Sequence, residues 1–290
     1  MFTAKQRDHV RQRVLALAQS DLRVTAGALT GSMAFGGGDR WSDIDVAFGI
    51  AEGITPETVL EDWTAVFARE WGLLDHFDLR SGTSVYRVFL LPSGLEIDVG
   101  VTPAEDFGAR GPNFRALFGP THQLAALPQP NASFLIGLCW HHVLHARACI
   151  ERHKPWQAEY FISEMRHHIL ELACLRLGEN ALEGRGFDRL PSRVREPLAE
   201  ALVRSLTEAE LRGSLAVATT CLIAELEAWD SPLCARLSPL LHEFGAPQAE
   251  ARKPSSRNLF SSDPRNSCAK ISERFAKKCL KQIAFLAHLR

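Results

Sequence analysis

Leu29-Thr30-Gly31-Ser32-Met33-Ala34-Phe35-Gly36-Gly37-Gly38-Asp39-Arg40-Trp41-Ser42-Asp43-Ile44-Asp45-Val46 is the most informative run in the chain. Val24–Thr30 is a short apolar segment that reads as a strand, and it ends in Gly31-Ser32. A glycine-rich connector follows. Eleven residues after Ser32 a second strand opens with Asp43-Ile44-Asp45. Ile44, Val46 and Phe48 alternate with Asp43, Asp45 and Ala47, so the spacing predicts a half-buried strand over 43–50. The same alternation puts Asp43 and Asp45 on one face. Two carboxylates so close repel each other unless a cation joins them. Hard oxygen ligands suit Mg²⁺, which commonly takes one or two carboxylates together with substrate phosphates. Gly31 permits close backbone approach to a phosphate, and Ser32 can offer its hydroxyl and its N–H.

Working outward, residues 4–19 read as a helix with Val10, Val14, Leu15, Leu17 and Ala18 at helical spacing. Thr55-Pro56-Glu57 is a helix-start signal, and that helix is expected to run to Trp71 and stop at Gly72. Strands are expected at His76–Arg80 and Ser84–Leu91. Pro92-Ser93-Gly94 then turns the chain into a third, Leu95–Val101. In that last strand Leu95, Ile97 and Val99 share one face and Glu96 and Asp98 the other. If it pairs near the Asp43–Asp45 strand, Asp98 completes an acidic triad able to hold metal and deprotonate a hydroxyl. An isolated Asp-x-Asp is ordinarily a solvated strand face. The combination with Gly-Ser, the connector and a later strand acid favours chemistry.

Gly31-Ser32 and Ser42-Asp43-Ile44-Asp45 resemble the signature of the DNA polymerase β-like nucleotidyltransferases. Within that superfamily the chain is similar to the bacterial antibiotic (aminoglycoside and lincosamide) nucleotidyltransferase type. The motif match covers residues 24–101. The resemblance implies an α+β fold, with an N-terminal nucleotidyltransferase domain built on a small mixed sheet flanked by helices, followed by an all-helical bundle. It implies Mg²⁺-dependent transfer of AMP from ATP to a small-molecule hydroxyl with release of pyrophosphate, and two metal ions. On this reading Asp43 and Asp45 bind Mg²⁺, and Gly31 and Ser32 hold the triphosphate. Arg40, in the connector beside that site, is a candidate to meet the triphosphate charge, an exposed loop arginine being an equal alternative, and Ser42 is a further candidate for phosphate. Asp98 serves as metal ligand, general base or both. Some antibiotic-modifying members take their base from the helical domain. The expected organisation is a catalytic domain over 1–108, a linker over 109–130, a substrate-binding helical domain over 131–246 and a basic tail over 247–290.

The linker expectation rests on Gly108, Gly111, Pro112, Gly119, Pro120, Pro128 and Pro130. Beyond it, Asn131–Arg152, Trp156–Leu177, Pro197–Ser205, Thr207–Trp229 and Pro232–Phe244 read as helices, and Thr207 to Glu210 resembles a capping box. Trp156, Tyr160, Glu159 and Arg166 fall on adjacent stripes of one helix and, with Glu96, are candidates for holding the acceptor. An ordinary surface helix explains the same pattern equally well. His141 and His145, four apart, suit a polar or pocket-lining helix face better than a zinc site, because the Glu of His-Glu-x-x-His is missing.

Composition frames these readings. The 290 residues are 46% hydrophobic and 23% charged, which excludes a disordered or fibrous chain. The net charge of −1 argues against a general nucleic-acid binder. It conceals an asymmetry: residues 253–290 carry nine Lys or Arg against two acids, while the first 252 carry 24 against 32. The tail reads as a docking segment or as a poorly ordered appendage, the second being favoured on terminal grounds. Met1–Arg13 has no signal-peptide core and no run approaches 18 apolar residues, so a cytoplasmic protein without a membrane span is expected. Seven cysteines without a CxxC pair read as free thiols. Two alternatives stand beside the small-molecule transferase: AMP transfer to a protein or RNA end, and a catalytically silent nucleotide-binding module.

Overall fold

The structure is a computed structural model that describes residues 1–126 and 128–245. The chain divides into two units, one spanning Met1–Leu127 and one beginning at Pro128. The expected basic tail over 247–290 lies outside the described residues.

The first unit is α+β. Helix α1 (Ala4–Ser20) opens with a complete capping box in which Thr3 and Gln6 satisfy each other's backbone N–H groups. Strand β1 (Val24–Thr30) runs into a single 3₁₀ turn over Gly31–Met33. Strand β2 (Ile44–Ile50) follows the connector. Helix α2 (Pro56–Trp71) is capped by Thr55 and ends on Gly72 in the left-handed region. Strands β3 (Asp75–Ser81), β4 (Ser84–Leu90) and β5 (Glu96–Pro103) come next, then two-residue strands β6 (Gly108–Ala109) and β8 (His122–Gln123) on either side of β7 (Phe114–Phe118).

Six strands form one mixed sheet in the order β3-β4-β5-β2-β1-β7. Only β2 and β5 run parallel within it, and every other neighbouring pair is antiparallel. Val10, Val14, Leu60, Trp63 and Phe67 from the helices pack with Ile44, Val46, Phe48, Ile97 and Val99 into one core. That burial fixes the register, because a one-residue slip would turn this apolar set outward. Asp45 and Asp98 lie on the opposite face of β2 and β5, which also carries a small apolar cluster of Ala26, Ala28, Ala47 and Phe107.

The stretch 109–130, expected as a linker, contributes β7 to the sheet. Phe-Arg-Ala-Leu-Phe pairs with β1, and the Phe118 ring occupies the place a side chain on Gly27 would need, 2.4 Å from its Cβ position. The turn residues on either side punctuate a strand rather than a structureless run.

The second unit is helical: α3 (Ala132–Glu151), α4 (Pro155–Leu177), α5 (Ser192–Ala199), α6 (Glu208–Trp229) and α7 (Ser231–Gly245). Its core gathers Leu135, Val143, Ile162, Met165, Leu215 and Leu222 among others. Helix α5 departs from the expected 197–205. It starts behind Pro191, and Pro197 sits inside it rather than at its first turn. Five cysteines in the described residues are free, four of them buried. No helix among the described residues is long and apolar enough to cross a membrane.

Candidate active site

The parallel β2–β5 ladder sets Asp45 directly opposite Asp98. Their neighbours Ile44, Val46, Ile97 and Val99 are buried on the helix side, so both carboxylates project from the other face. Both are half-buried, and each interacts with other groups of the protein. Like charges on adjacent strands repel, which makes a cation the natural third party.

Gly31 closes one side of this pair. Its φ is +62°, a conformation open to glycine and strained for other residues. A Cβ built there would lie 2.0 Å from Asp45 Oδ2. The turn after β1 therefore presses its bare backbone against the carboxylate, which a side chain would prevent. Ser32 follows, exposed, in the same turn.

Asp43 stands just before the first residue of β2. The ladder sets Asp45 and Asp98, whereas Asp43 belongs to the connector. Among the described residues no group of three or more His, Cys, Asp or Glu side chains is arranged to hold a metal ion. The expected three-acid set is thus not gathered as a preformed cage. Even so, the pair suits a hard divalent cation, because Mg²⁺ is ordinarily held by one or two carboxylates with water and phosphate oxygens making up the rest.

The connector is more ordered than its glycines suggest. Trp41 N–H donates to Asp39 Oδ1 at 2.8 Å, and Asp39 N–H donates to Ser42 Oγ at 2.9 Å. Ser42 Oγ in turn donates to Asp39 Oδ1 at 3.2 Å. The Trp41 N–H, with Ser42 and the Arg7 charge, holds the Asp39 carboxyl below the usual range. Ser42, expected to bind phosphate, thus spends its hydroxyl on this turn. The Arg40 guanidinium lies 4.0 Å from the centre of the Trp41 ring, in a cation–π contact. Arg7, buried in α1, donates through Nη1 to the carbonyls of Asp39 and Ser42, the latter at 3.2 Å.

Two further residues escaped the sequence reading, one holding the connector and one on the acidic face. Arg7 lies on the buried stripe of α1 with Val10, Val14 and Ala18. A charge on an apolar stripe was the available signal. Tyr86 shares the acidic face of the sheet, its ring 2.8 Å from where a Gly100 Cβ would stand. Burial pushes its phenol up, Ser84 and Arg110 oppose the shift, and the Asp98 charge adds to it. Glu96 is exposed at the start of β5, two residues from Asp98 on the same face.

The other candidates lie on α4 in the second unit. Ser163 Oγ donates to Glu159 Oε1 at 2.6 Å, and Arg166 Nη2 donates to Ser163 Oγ at 3.4 Å. Burial lowers the Arg166 pKa against the pull of Glu159. Trp156 and Tyr160 are exposed, at 75% and 49%. On α3, His141 and His145 rings lie 4.1 Å apart, and burial lowers the pKa of both.

No family model matches the sequence, and no curated protein matches it. Among solved structures, the chain is similar to an aminoglycoside 6-adenyltransferase from Bacillus subtilis, with 14% identity and a TM-score of 0.36 over 80% of this chain and 95% of that one. It is also similar to a nucleotidyltransferase-like protein from Exiguobacterium sibiricum 255-15, with 12% identity and a TM-score of 0.35 over 81% and 80% of the two chains.

Proposed function

We propose that the protein is a Mg²⁺-dependent nucleotidyltransferase that moves AMP from ATP to a hydroxyl of a small molecule, releasing pyrophosphate. The observation that carries this reading is the Asp45–Asp98 register with Gly31 packed against Asp45. A Gly-Ser turn facing two carboxylates on adjacent strands joins a backbone suited to phosphate with oxygens suited to its counter-ion.

In this proposal Asp45 and Asp98 hold the cation, and Asp43 is a further oxygen donor contributed from the connector. Bound Mg²⁺ supplies charge neutralisation for the triphosphate and the leaving pyrophosphate. The chain's own residues do the rest. The Gly31 and Ser32 backbone and the Ser32 hydroxyl orient the phosphates. Asp98 accepts the proton of the attacking acceptor hydroxyl. The bond from that oxygen to the α-phosphorus forms as the bond to pyrophosphate breaks. Because Ser42 Oγ is engaged with Asp39, its proposed part is to shape the turn. Arg40 remains a candidate for phosphate only by leaving the Trp41 ring.

The acceptor is proposed as an aminoglycoside-like polyhydroxylated amine. Glu159 suits an ammonium group, and exposed Trp156 and Tyr160 suit sugar or ring faces. Incubation with ATP, Mg²⁺ and a panel of antibiotics and metabolites, followed by mass spectrometry, tests this directly. An acceptor that gains a nucleoside monophosphate is the expected product. Nucleotide binding without transfer to any member of the panel favours the silent module instead.

A further inference from the structure

Asp43 owes its position to two anchors of different kinds. On its C-terminal side Ile44 enters the β2 ladder opposite Ile97. On its N-terminal side the carbonyl of Ser42 accepts a hydrogen bond from Arg7 Nη1 at 3.2 Å. The same nitrogen donates to the carbonyl of Asp39. Arg7 is 4% exposed, with its Nε 3.6 Å from Asp8 Oδ1. A buried guanidinium is costly unless its donors are used, and here the carbonyls at both ends of the 39–42 turn use one of them.

The turn is closed on itself as well. Ser42 N–H donates back to the Asp39 carbonyl at 3.4 Å, and the Asp39 carboxylate accepts from Trp41 N–H and Ser42 Oγ. Gly36, Gly37 and Gly38 precede it, and glycine restricts the backbone least of all residues. Arg7 ties this turn to α1, while Ile44, one residue beyond Asp43, ties it to the sheet.

We propose that Arg7 is a positioning residue: from the buried face of α1 it fixes the 39–42 turn, so that Asp43 is presented at a set distance from Asp45 and Asp98. This inference rests on the nucleotidyltransferase reading, since it assigns Asp43 to the cation and triphosphate. The part assigned to Arg7 is indirect, exerted through the backbone carbonyls of the turn.

The test uses the full chain, with Mn²⁺ as the probe ion. Mn²⁺ binding is followed by electron paramagnetic resonance, and amide hydrogen exchange by mass spectrometry. Three variants are compared with the wild type. Arg7→Met removes the donors and keeps the stem. Arg7→Lys keeps the buried charge with a single donor group. Asp39→Ala loosens the same turn from an exposed position. Arg7→Met and Asp39→Ala are expected to bind Mn²⁺ about tenfold more weakly, the scale of one charge-assisted hydrogen bond. Amides of residues 36–43 should exchange faster while those of β2 and β5 keep their protection. Arg7→Lys should recover part of the affinity, which a general loss of stability would not explain.

If Arg7→Met does not fold, Arg7→Lys and Asp39→Ala decide the matter, with weakened Mn²⁺ binding expected in both. A folded Arg7 variant with wild-type Mn²⁺ affinity overturns the positioning role and leaves the transferase reading standing. A wild type that binds neither Mn²⁺ nor ATP overturns both.

Discussion

At Gly31 the backbone takes a φ of +62°, and the Asp45 carboxylate occupies the space a Cβ would need. Gly31→Ala therefore meets two penalties, about 1–3 kcal/mol of backbone strain and displacement of Asp45. A lowered melting temperature and a loss of transfer are expected together, and calorimetry beside a pyrophosphate assay checks both. Asp45→Asn and Asp98→Asn differ in kind. Each keeps the size of the side chain and removes its charge, so the fold should be retained while transfer falls about a thousandfold. Full Mg²⁺-dependent activity in either variant would remove the basis of the proposed site. At this scale the sequence was informative where chemistry and alternation agree. Asp45 and Asp98 were placed on strand faces by their apolar neighbours. What the sequence did not contain was the engagement of Ser42 with Asp39, because side-chain capping within a turn leaves no periodic trace.

Among elements, the regular ones were legible and the punctuated ones were not. Helix α2 is bounded by Thr55-Pro56 and Gly72, as the capping residues predict. Strand β7 was hidden by Gly111-Pro112 and Gly119-Pro120, which mark its ends but read as loop when taken together. Helix α5 shows the converse error, since Pro197 looks like a helix start and Pro191 supplies the real one. The capping box at Thr207 is half-formed: Thr207 Oγ1 accepts from Glu210 N–H, while the Glu210 carboxylate accepts from Arg204 N–H.

Two packing features of the helical unit give further predictions. Arg176 on α4 forms a bidentate pair with Glu225 on α6, at 2.7 and 2.8 Å, and Glu225 is 5% exposed. Arg176→Met leaves that carboxylate buried and unpaired, at a cost of about 3 kcal/mol, measurable by urea denaturation. His142 is buried on α3 against Phe161 and His168, with His141, His145 and Glu164 also acting on it. Burial first, then the neighbouring histidines, lowers its pKa to about 3 from 6.5. The unfolded chain then binds the proton more readily. Stability is full above pH 6.5 and falls as the pH drops toward 3, by up to about 1.4 kcal/mol per pH unit. His142→Phe should flatten that slope in melting curves taken between pH 7 and 4.

For the molecule as a whole, the net charge of −1 is the sum of an acidic body and a basic tail. Every residue proposed for catalysis lies before residue 127, and each of the two units has its own apolar core. Deleting residues 253–290 is therefore expected to leave both melting and transfer close to those of the full chain. A truncated protein that folds but no longer transfers would bring the tail into the site. The division into a sheet-bearing first half and a helical second half was legible because hydrophobic period changes from two to 3.6 along the chain. The β2–β5 adjacency was not, since parallel neighbours joined through a helix and a hairpin leave no local signal in the sequence.

The most direct measurement follows label from the α-phosphate of ATP in the presence of Mg²⁺ and an aminoglycoside panel, with wild type, Asp45→Asn and Asp98→Asn compared side by side. Transfer of the label to an acceptor by the wild type, with one pyrophosphate released per product and neither signal in the variants, is the predicted result. Equal transfer by wild type and variants, or a wild type that binds no nucleoside triphosphate, would contradict it.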